Sequence, residues 1–348
     1  MVPASTIAKG DFRLDLEDLS KLRTYLVERG FAEAEEAMTA ERAGEGNMNC
    51  VVRVRMQGRN VILKQALPWV AKYPSIAAPV ERATSEARFY YFVTQSSSVA
   101  AMMPRLLDFD ESSAVLIMED LSPAETLLDC YQGTRSLNWL QLKELAHYTS
   151  SLHRLTIPQG ERAAFQNGAM RKLNYQHIFD IPLRTDGALS EMLEQITPGL
   201  DRVGDGLRRD RTFCEAVERL GRSYLEQDGP SLIHGDLFPG SLLQIGQGRL
   251  RVIDPEFSFC GNPEFDIGVF YAHLLLSRHE EDTASFWLQV ALEGTPHSET
   301  LVIQYAGVEI MRRILGVAQL PVSLSLEAKG HLLERSREML VVSVKGRK

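Results

Sequence analysis

Residues 14–40 mix Leu, Val and Phe with Glu, Arg and Lys, and Leu19, Leu22 and Leu26 fall on one helical face before Gly30. This spacing predicts a helix that precedes the first sheet and stops at that glycine. The texture then changes to two short β-rich runs, Cys50-Val-Val-Arg-Val-Arg-Met56 and Asn60-Val-Ile-Leu-Lys64, separated by Gln57-Gly58-Arg59. Such a pattern predicts an antiparallel hairpin. Pro68 and Pro74 mark a loop, and Val80 to Thr94 reads as a helix with Glu81 and Glu86 towards its start. The run Ala114-Val-Leu-Ile-Met118 has the length of a buried strand and ends in Glu119-Asp-Leu-Ser-Pro123, a polar break with proline. The domain boundary is placed there, giving residues 1–120 and 121–348. Helical spacing dominates the second part, over 137–155, 189–204, 212–227, 265–278, 284–292, 299–317 and 325–342. One β-rich segment interrupts it: Ser231-Leu-Ile-His-Gly-Asp-Leu237, then Ser241-Leu-Leu-Gln-Ile245 and Leu250-Arg-Val-Ile-Asp254 around a Gly246-Gln-Gly248 turn.

The length of 348 residues suits two domains, and 44% hydrophobic with 24% charged residues is an ordinary globular composition. The balance of 38 basic against 46 acidic side chains leaves a net charge of −8, so no global field draws in nucleic acid or an anionic membrane. Cys50, Cys130, Cys214 and Cys260 lie far apart without a CxxC pair. They suggest neither a zinc site nor a disulfide framework and are expected to be reduced thiols. Met1 to Gly10 lacks the apolar core of a secretory signal, and no later run is long and apolar enough to span a bilayer, so a cytoplasmic location is expected.

The chemistry concentrates in Leu232-Ile-His-Gly-Asp-Leu-Phe-Pro-Gly-Ser241, Val252-Ile-Asp-Pro-Glu-Phe257 and Glu264-Phe-Asp-Ile-Gly268. These place carboxylates on strand ends and loops. Asp236 and Asp254 are 18 residues apart, and a hairpin between them returns the chain so that both carboxylates sit near one mouth. Phosphoryl transfer uses such a set: one carboxylate orients and deprotonates the attacking hydroxyl, and others hold Mg²⁺ on the nucleotide phosphates.

His234-Gly235-Asp236, the following hairpin and Asp254 resemble the protein-kinase-like small-molecule phosphotransferases, the group that includes aminoglycoside and choline kinases. Within that group the chain is most similar to the methylthioribose kinase family, on Asp254-Pro-Glu256, Gly240-Ser241, Gly44-Glu-Gly-Asn-Met-Asn49, Val61-Ile-Leu-Lys-Gln-Ala-Leu-Pro68 and Met118-Glu-Asp-Leu-Ser122. The resemblance implies an α+β, two-lobed protein-kinase-like fold, with a small antiparallel-sheet lobe, a large mainly helical lobe and ATP bound in the cleft between them. It implies that Gly44, Gly46 and Asn47 lie against the nucleotide, that Lys64 contacts its phosphates while Glu86 pairs with the lysine, and that Glu119 and Leu121 present backbone to adenine. Asp236 would be the catalytic base, and Asp254 and Glu256 would ligate Mg²⁺. Arg312 and Arg313, in Met311-Arg-Arg-Ile-Leu-Gly316, match a twin arginine that binds sugar hydroxyls or steadies phosphate charge. The implied reaction moves the ATP γ-phosphoryl group to the 1-hydroxyl of 5-methylthioribose, a step of methionine salvage, with a homodimer as the family's assembly. Two departures fall near the acceptor: Phe238 stands where the family often has His, and Tyr73-Pro-Ser-Ile-Ala-Ala-Pro79 lacks the family's tryptophan.

Other readings compete at single positions. Glu81 could replace Glu86 as the lysine's partner, and Glu256 could be a surface acid. His234 is expected to support the loop structurally, and Asp266 to act as an N-cap or as support for the catalytic loop. Consecutive residues on a helix point about 100° apart, so Arg312 and Arg313 reach one site only from the helix's edge. For the whole chain, the alternatives are the same fold acting on another small alcohol and a nucleotide binder without turnover. The absence of an Arg/Lys–aromatic array disfavours a nucleic-acid binder.

Overall fold

Alternation of apolar residues in the first β-rich segment becomes a hairpin packed under a helix. The computed structural model describes residues 12–44, 48–277, 279–322 and 324–345, and the chain divides into two compact units, Met1–Pro123 and Ala124–Lys348. In the first, α1 (Leu19–Glu28) is followed by β1 (Met38–Arg42), β2 (Asn49–Met56) and β3 (Arg59–Ala66), with Met56 paired to Arg59 across the two-residue turn Gln57-Gly58. Successive strand residues face opposite sides, so Val52, Val54 and Met56 of β2 and Val61 and Leu63 of β3 share one buried face. Leu22, Tyr25 and Leu26 of α1 complete this core. Each of its fully buried leucines and valines contributes about 1.5–3 kcal/mol. The opposite face of β3 carries Lys64.

The segment containing Pro68 and Pro74 is not an open loop. It forms a small antiparallel ribbon of β4 (Trp69–Val70) and β5 (Tyr73–Ala77). A two-stranded ribbon tolerates Pro74 because each strand has an edge where a missing N–H breaks no ladder bond. After α2 (Arg82–Val93) and α3 (Ser97–Ala100), β6 (Leu106–Asp110) and β7 (Val115–Glu119) complete a five-stranded antiparallel sheet in the order β1-β2-β3-β7-β6.

The second unit begins with β8 (Ala124–Thr126) and α4 (Trp139–His153), followed by α5 (Gly168–Tyr175). The expected helix over 189–204 is two, α6 (Gly187–Ile196) and α7 (Leu200–Arg209), because Pro198 forces Thr197 into an extended conformation, φ −153° and ψ 110°. Next come α8 (Arg211–Glu226), β9 (Ser231–Ile233), β10 (Leu242–Ile245) and β11 (Arg249–Val252), with Gly246 to Gly248 turning the last hairpin. The strand β12 (Phe259–Gly261), too short to show alternation in the sequence, pairs with β9. The chain then runs through α9 (Glu264–Leu276), α10 (Glu281–Leu292), α11 (Glu299–Leu315) and α12 (Leu326–Lys345).

Helix α9 is buried along its whole length, which its nearly continuous apolar sequence permits. It runs so close to α11 that a Cβ on Gly268 would stand 2.4 Å from the Val302 carbonyl oxygen. Among the described residues no helix is long and apolar enough to cross a membrane.

Candidate active site

In the first unit, β3 and α2 bring Lys64 and Glu86 together. The lysine Nζ donates to Glu86 Oε1 at 2.8 Å and lies 2.6 Å from Oε2, with both side chains buried. Glu81, the other candidate partner, is exposed at the α2 N-terminus. Arg82, not singled out in the sequence, is also buried. Its guanidinium bonds Asn49 Oδ1 at 3.0 Å and the carbonyls of Leu67, Pro79 and Met48 at 2.9, 2.6 and 3.0 Å. It thereby fastens the start of α2 to the beginning of β2 and to Leu67, which follows β3. Gly44 is exposed with φ +75°, whereas Gly46 and Asn47 lie outside the described residues. Glu119 ends β7 and donates its N–H to the Arg105 carbonyl at 2.9 Å. Between it and half-buried Leu121, Asp120 is held by Arg53 Nε at 3.1 Å and by the Ser122 hydroxyl at 2.7 Å.

In the second unit, β9 delivers the chain into His234-Gly235-Asp236. Gly235 has φ +83°, and a Cβ there would meet the Phe257 carbonyl oxygen at 2.2 Å, so only glycine fits. The fully buried Asp266, in the first turn of α9, accepts the amides of His234 at 2.8 Å and Gly235 at 3.0 Å. It therefore braces the loop and does not cap its own helix, whose N-cap is Pro263. Burial alone raises the Asp266 carboxyl, but the hydrogen bond from His153 at 3.0 Å, the nearby imidazoles and the Gly235 amide outweigh it and hold the group below the usual aspartate range. His234 is buried, with Nε2 donating to the Ile253 carbonyl at 2.9 Å. This bond leaves Nδ1 to accept the Asp236 amide, at 3.4 Å. Ser241 Oγ donates to the Asp236 carbonyl at 2.7 Å.

Past β11, Asp254 takes the left-handed conformation, φ 70° and ψ 48°, and Pro255 to Phe257 makes one 3₁₀ turn. Asn167 holds this turn from α5's end of the unit, through Nδ2 to the carbonyls of Glu256 at 2.9 Å and Ser258 at 3.0 Å. Glu256 is buried, which excludes the surface-acid reading, and carboxylate oxygens of Asp254 and Glu256 lie within 4.8 Å of each other. Two hard oxygen donors at this spacing fit Mg²⁺, which takes one or two carboxylates and fills its other positions with water and phosphate.

Arg312 and Arg313, in the last turn of α11, converge on Asp236: Arg312 Nη1 and Arg313 Nη2 each stand 3.4 Å from its Oδ1. Buried Glu309, one turn earlier, accepts from both guanidiniums and from His273 Nε2 at 3.1 Å. Burial works against the Glu309 charge, but Arg312 and Arg313 overcome it and keep the carboxylate ionised. Tyr131 Oη completes the set against His273 Nδ1. Phe238 packs beside it, with Arg313 Cζ 4.8 Å from the ring centre and the His273 ring 5.2 Å away.

Burial pulls His273 down to about 4, against the opposing pull of Glu309. An unfolded histidine near 6.5 takes up its proton first. The contribution of His273 is therefore complete above pH ~6.5 and lost as pH falls towards ~4, a change on the order of 3 kcal/mol. The melting temperature is expected to fall across this window and to fall less steeply in His273→Gln. A melting temperature flat from pH 6.5 to 4 would contradict the assignment.

The residues named in the sequence thus form two described groups, Lys64 with Glu86 and Asp236 with Arg312 and Arg313, plus the Asp254–Glu256 turn. Arg82, Tyr131, Asn167, His273 and Glu309 escaped the sequence reading. Of these only Glu309 left a signal, an acid three and four positions before two arginines.

Comparison with known proteins gives a consistent result. A profile described as the phosphotransferase enzyme family matches residues 39–291. The chain is 28% identical over 347 residues to a methylthioribose kinase of Exiguobacterium sibiricum, covering 88% of this chain and 86% of that protein. Among solved structures, it is similar to the choline kinase LicA of Streptococcus pneumoniae in complex with AMP, with TM-score 0.54, 15% identity and coverage of 92% and 97%. It is also similar to a Plasmodium vivax ethanolamine kinase, with TM-score 0.55, 13% identity and coverage of 97% and 90%. At these identities the structural likeness establishes the kinase-like fold.

Proposed function

We propose that this chain, which belongs to the phosphotransferase enzyme family, moves the γ-phosphoryl group of ATP to the 1-hydroxyl of 5-methylthioribose, releasing ADP and the 1-phosphate. The observation that carries the phosphotransfer is the convergence of two guanidiniums on one oxygen of Asp236, at the end of a loop braced from beneath by Asp266. The choice of acceptor rests on similarity to methylthioribose kinases over most of the chain.

Nucleotide binding is assigned to residues 1–120 and catalysis to residues 121–348. Lys64, held by Glu86, contacts the nucleotide phosphates, and Gly44, Gly46 and Asn47 let the backbone approach them. Since the Glu119 amide is already bonded to Arg105, adenine reading falls to the Glu119 carbonyl and the Leu121 backbone. Asp236 orients the acceptor hydroxyl and takes its proton as the oxygen bonds to the γ-phosphorus and the bond to the β-phosphate oxygen breaks. Arg312 and Arg313 offset the negative charge of that exchange. Asp254 and Glu256 would hold Mg²⁺, which neutralises phosphate charge when bound. Most of the acceleration then comes from orientation and electrostatics rather than covalent chemistry.

The test is coupled ADP release with Mg·ATP and a panel of 5-methylthioribose, ribose, choline, homoserine and kanamycin, with Asp236→Asn as the blank. Efficient turnover on 5-methylthioribose alone is expected. No turnover on it, with ATP still bound, would transfer the assignment to another small alcohol and mark Phe238 and residues 73–79 as acceptor determinants.

A further inference from the structure

Helical geometry should splay Arg312 and Arg313 about 100° apart, yet both reach the same oxygen of Asp236. Glu309 accounts for the convergence. Lying three residues before Arg312 and four before Arg313, it shares their face of α11, and its carboxylate accepts from both, with Arg312 Nη1 also 3.3 Å from Oε1. Oε2 takes Arg312 Nη1 at 3.1 Å, and Oε1 takes Arg313 Nε at 2.6 Å. The carboxylate cannot swing away from this arrangement, because His273 from α9 holds it at 3.1 Å and is itself held by Tyr131. A neutral His273 acts here as a donor that adds no charge. Phe238 closes the other side, with its ring against both Arg313 and His273.

Counted together, two guanidiniums and the carboxylates of Glu309 and Asp236 leave the cluster neutral. Without Glu309, two arginines would face Asp236 alone. We propose that Glu309 is a positioning residue for phosphoryl transfer: it turns both arginines towards Asp236 and, backed by His273 and Tyr131, keeps them there when the acceptor's proton reaches that carboxylate. The cluster then carries one net positive charge fixed in place, an electrostatic arrangement set before the reaction needs it. This inference rests on the role of Asp236 given above, and the experiment separates the two.

Glu309→Gln keeps the shape but loses the charge, and Glu309→Asp keeps the charge on a shorter arm. Glu309→Gln is expected to lower kcat about 100-fold, the scale of misplaced catalytic groups, while KM for ATP stays within about threefold. Glu309→Asp should recover about tenfold of that loss. Independently of any acceptor, ¹⁵N spectra of arginine-labelled protein should show a slowly exchanging Arg313 Nε–H signal, assigned by its absence from Arg313→Lys and displaced in Glu309→Gln. A folded Glu309→Gln with kcat within about threefold of wild type would overturn the proposal. So would a loss that Glu309→Asp does not repair while the Arg313 signal stays unmoved. Should Glu309→Gln fail to fold, the wild-type spectrum decides alone: an Arg313 Nε–H that exchanges like a solvent-exposed arginine refutes the clamp. Absence of turnover on every panel acceptor would count against the proposed function, whereas the spectrum would still decide for or against Glu309.

Discussion

Asp236→Asn is expected to lower kcat about 10³-fold while KM for ATP stays within about twofold. The substitution preserves volume and one acceptor oxygen, so Arg312 and Arg313 keep a partner and the His234-Gly235 turn keeps its bonds to Asp266. On the proposed role, what it removes is the ability to take a proton from the acceptor and the negative charge that orients that hydroxyl. Nucleotide affinity, assigned to Lys64 and its neighbours, does not depend on either. Initial rates over a matrix of ATP and acceptor concentrations, with a melting curve of the same preparation, separate these effects. Turnover within a few-fold of wild type, with an unchanged melting temperature, would remove Asp236 from the role of base.

The second large effect falls on stability. Asp266→Ala deletes a fully buried carboxylate that accepts from the His234 amide, the Gly235 amide and His153 Nε2. Three donors lose their acceptor in a region that water does not reach, and breaking a buried charged network of this kind costs about 3–5 kcal/mol. At roughly 2–4 °C per kcal/mol for a unit of this size, the melting temperature should drop by about 10 °C. Asp266→Asn retains an acceptor and should fall in between. Because the carboxyl is held below its ordinary range, its stabilisation is complete above the unfolded value near 4 and disappears as pH falls through the folded one. The difference between wild type and Asp266→Ala should therefore shrink in acid. Equal melting temperatures for the two proteins at neutral pH would show that the loop is held by other means.

Some of this was legible in the sequence because it is local. The hairpin around Gln57-Gly58, the strand ending at Glu119 and the helix α9 each follow from apolar spacing and turn chemistry over a short window. Lys64 and Asp236 could be named because the residues around them form compact motifs. Glu86 could be told from Glu81 only once α2 was in place, since both stand near the helix start and their spacing relative to Lys64 does not say which is buried. The bracing residues were illegible for a different reason. Tyr131 and His273 are 142 positions apart, and Asn167 reaches the Glu256 carbonyl from 89 positions away. Contacts of that range depend on how elements pack, and a single sequence carries no period or motif for them. The Pro68–Pro74 segment shows the opposite case: its prolines mark a loop by sequence, but a two-stranded ribbon has room for Pro74.

The complete burial of α9 has a consequence for how the chain comes apart. Loops that carry chemistry usually belong to the least stable regions of a protein and open long before the core does. Here Asp266 near one end of α9 holds the His234-Gly235 turn, and His273, two turns along, backs Glu309 and the arginines. Neither attachment can be released without disturbing a helix that has no exposed face. The loop that carries Asp236 is thereby tied to the last cooperative part of Ala124–Lys348 to open, and sequence drift has more freedom in segments that no buried helix holds.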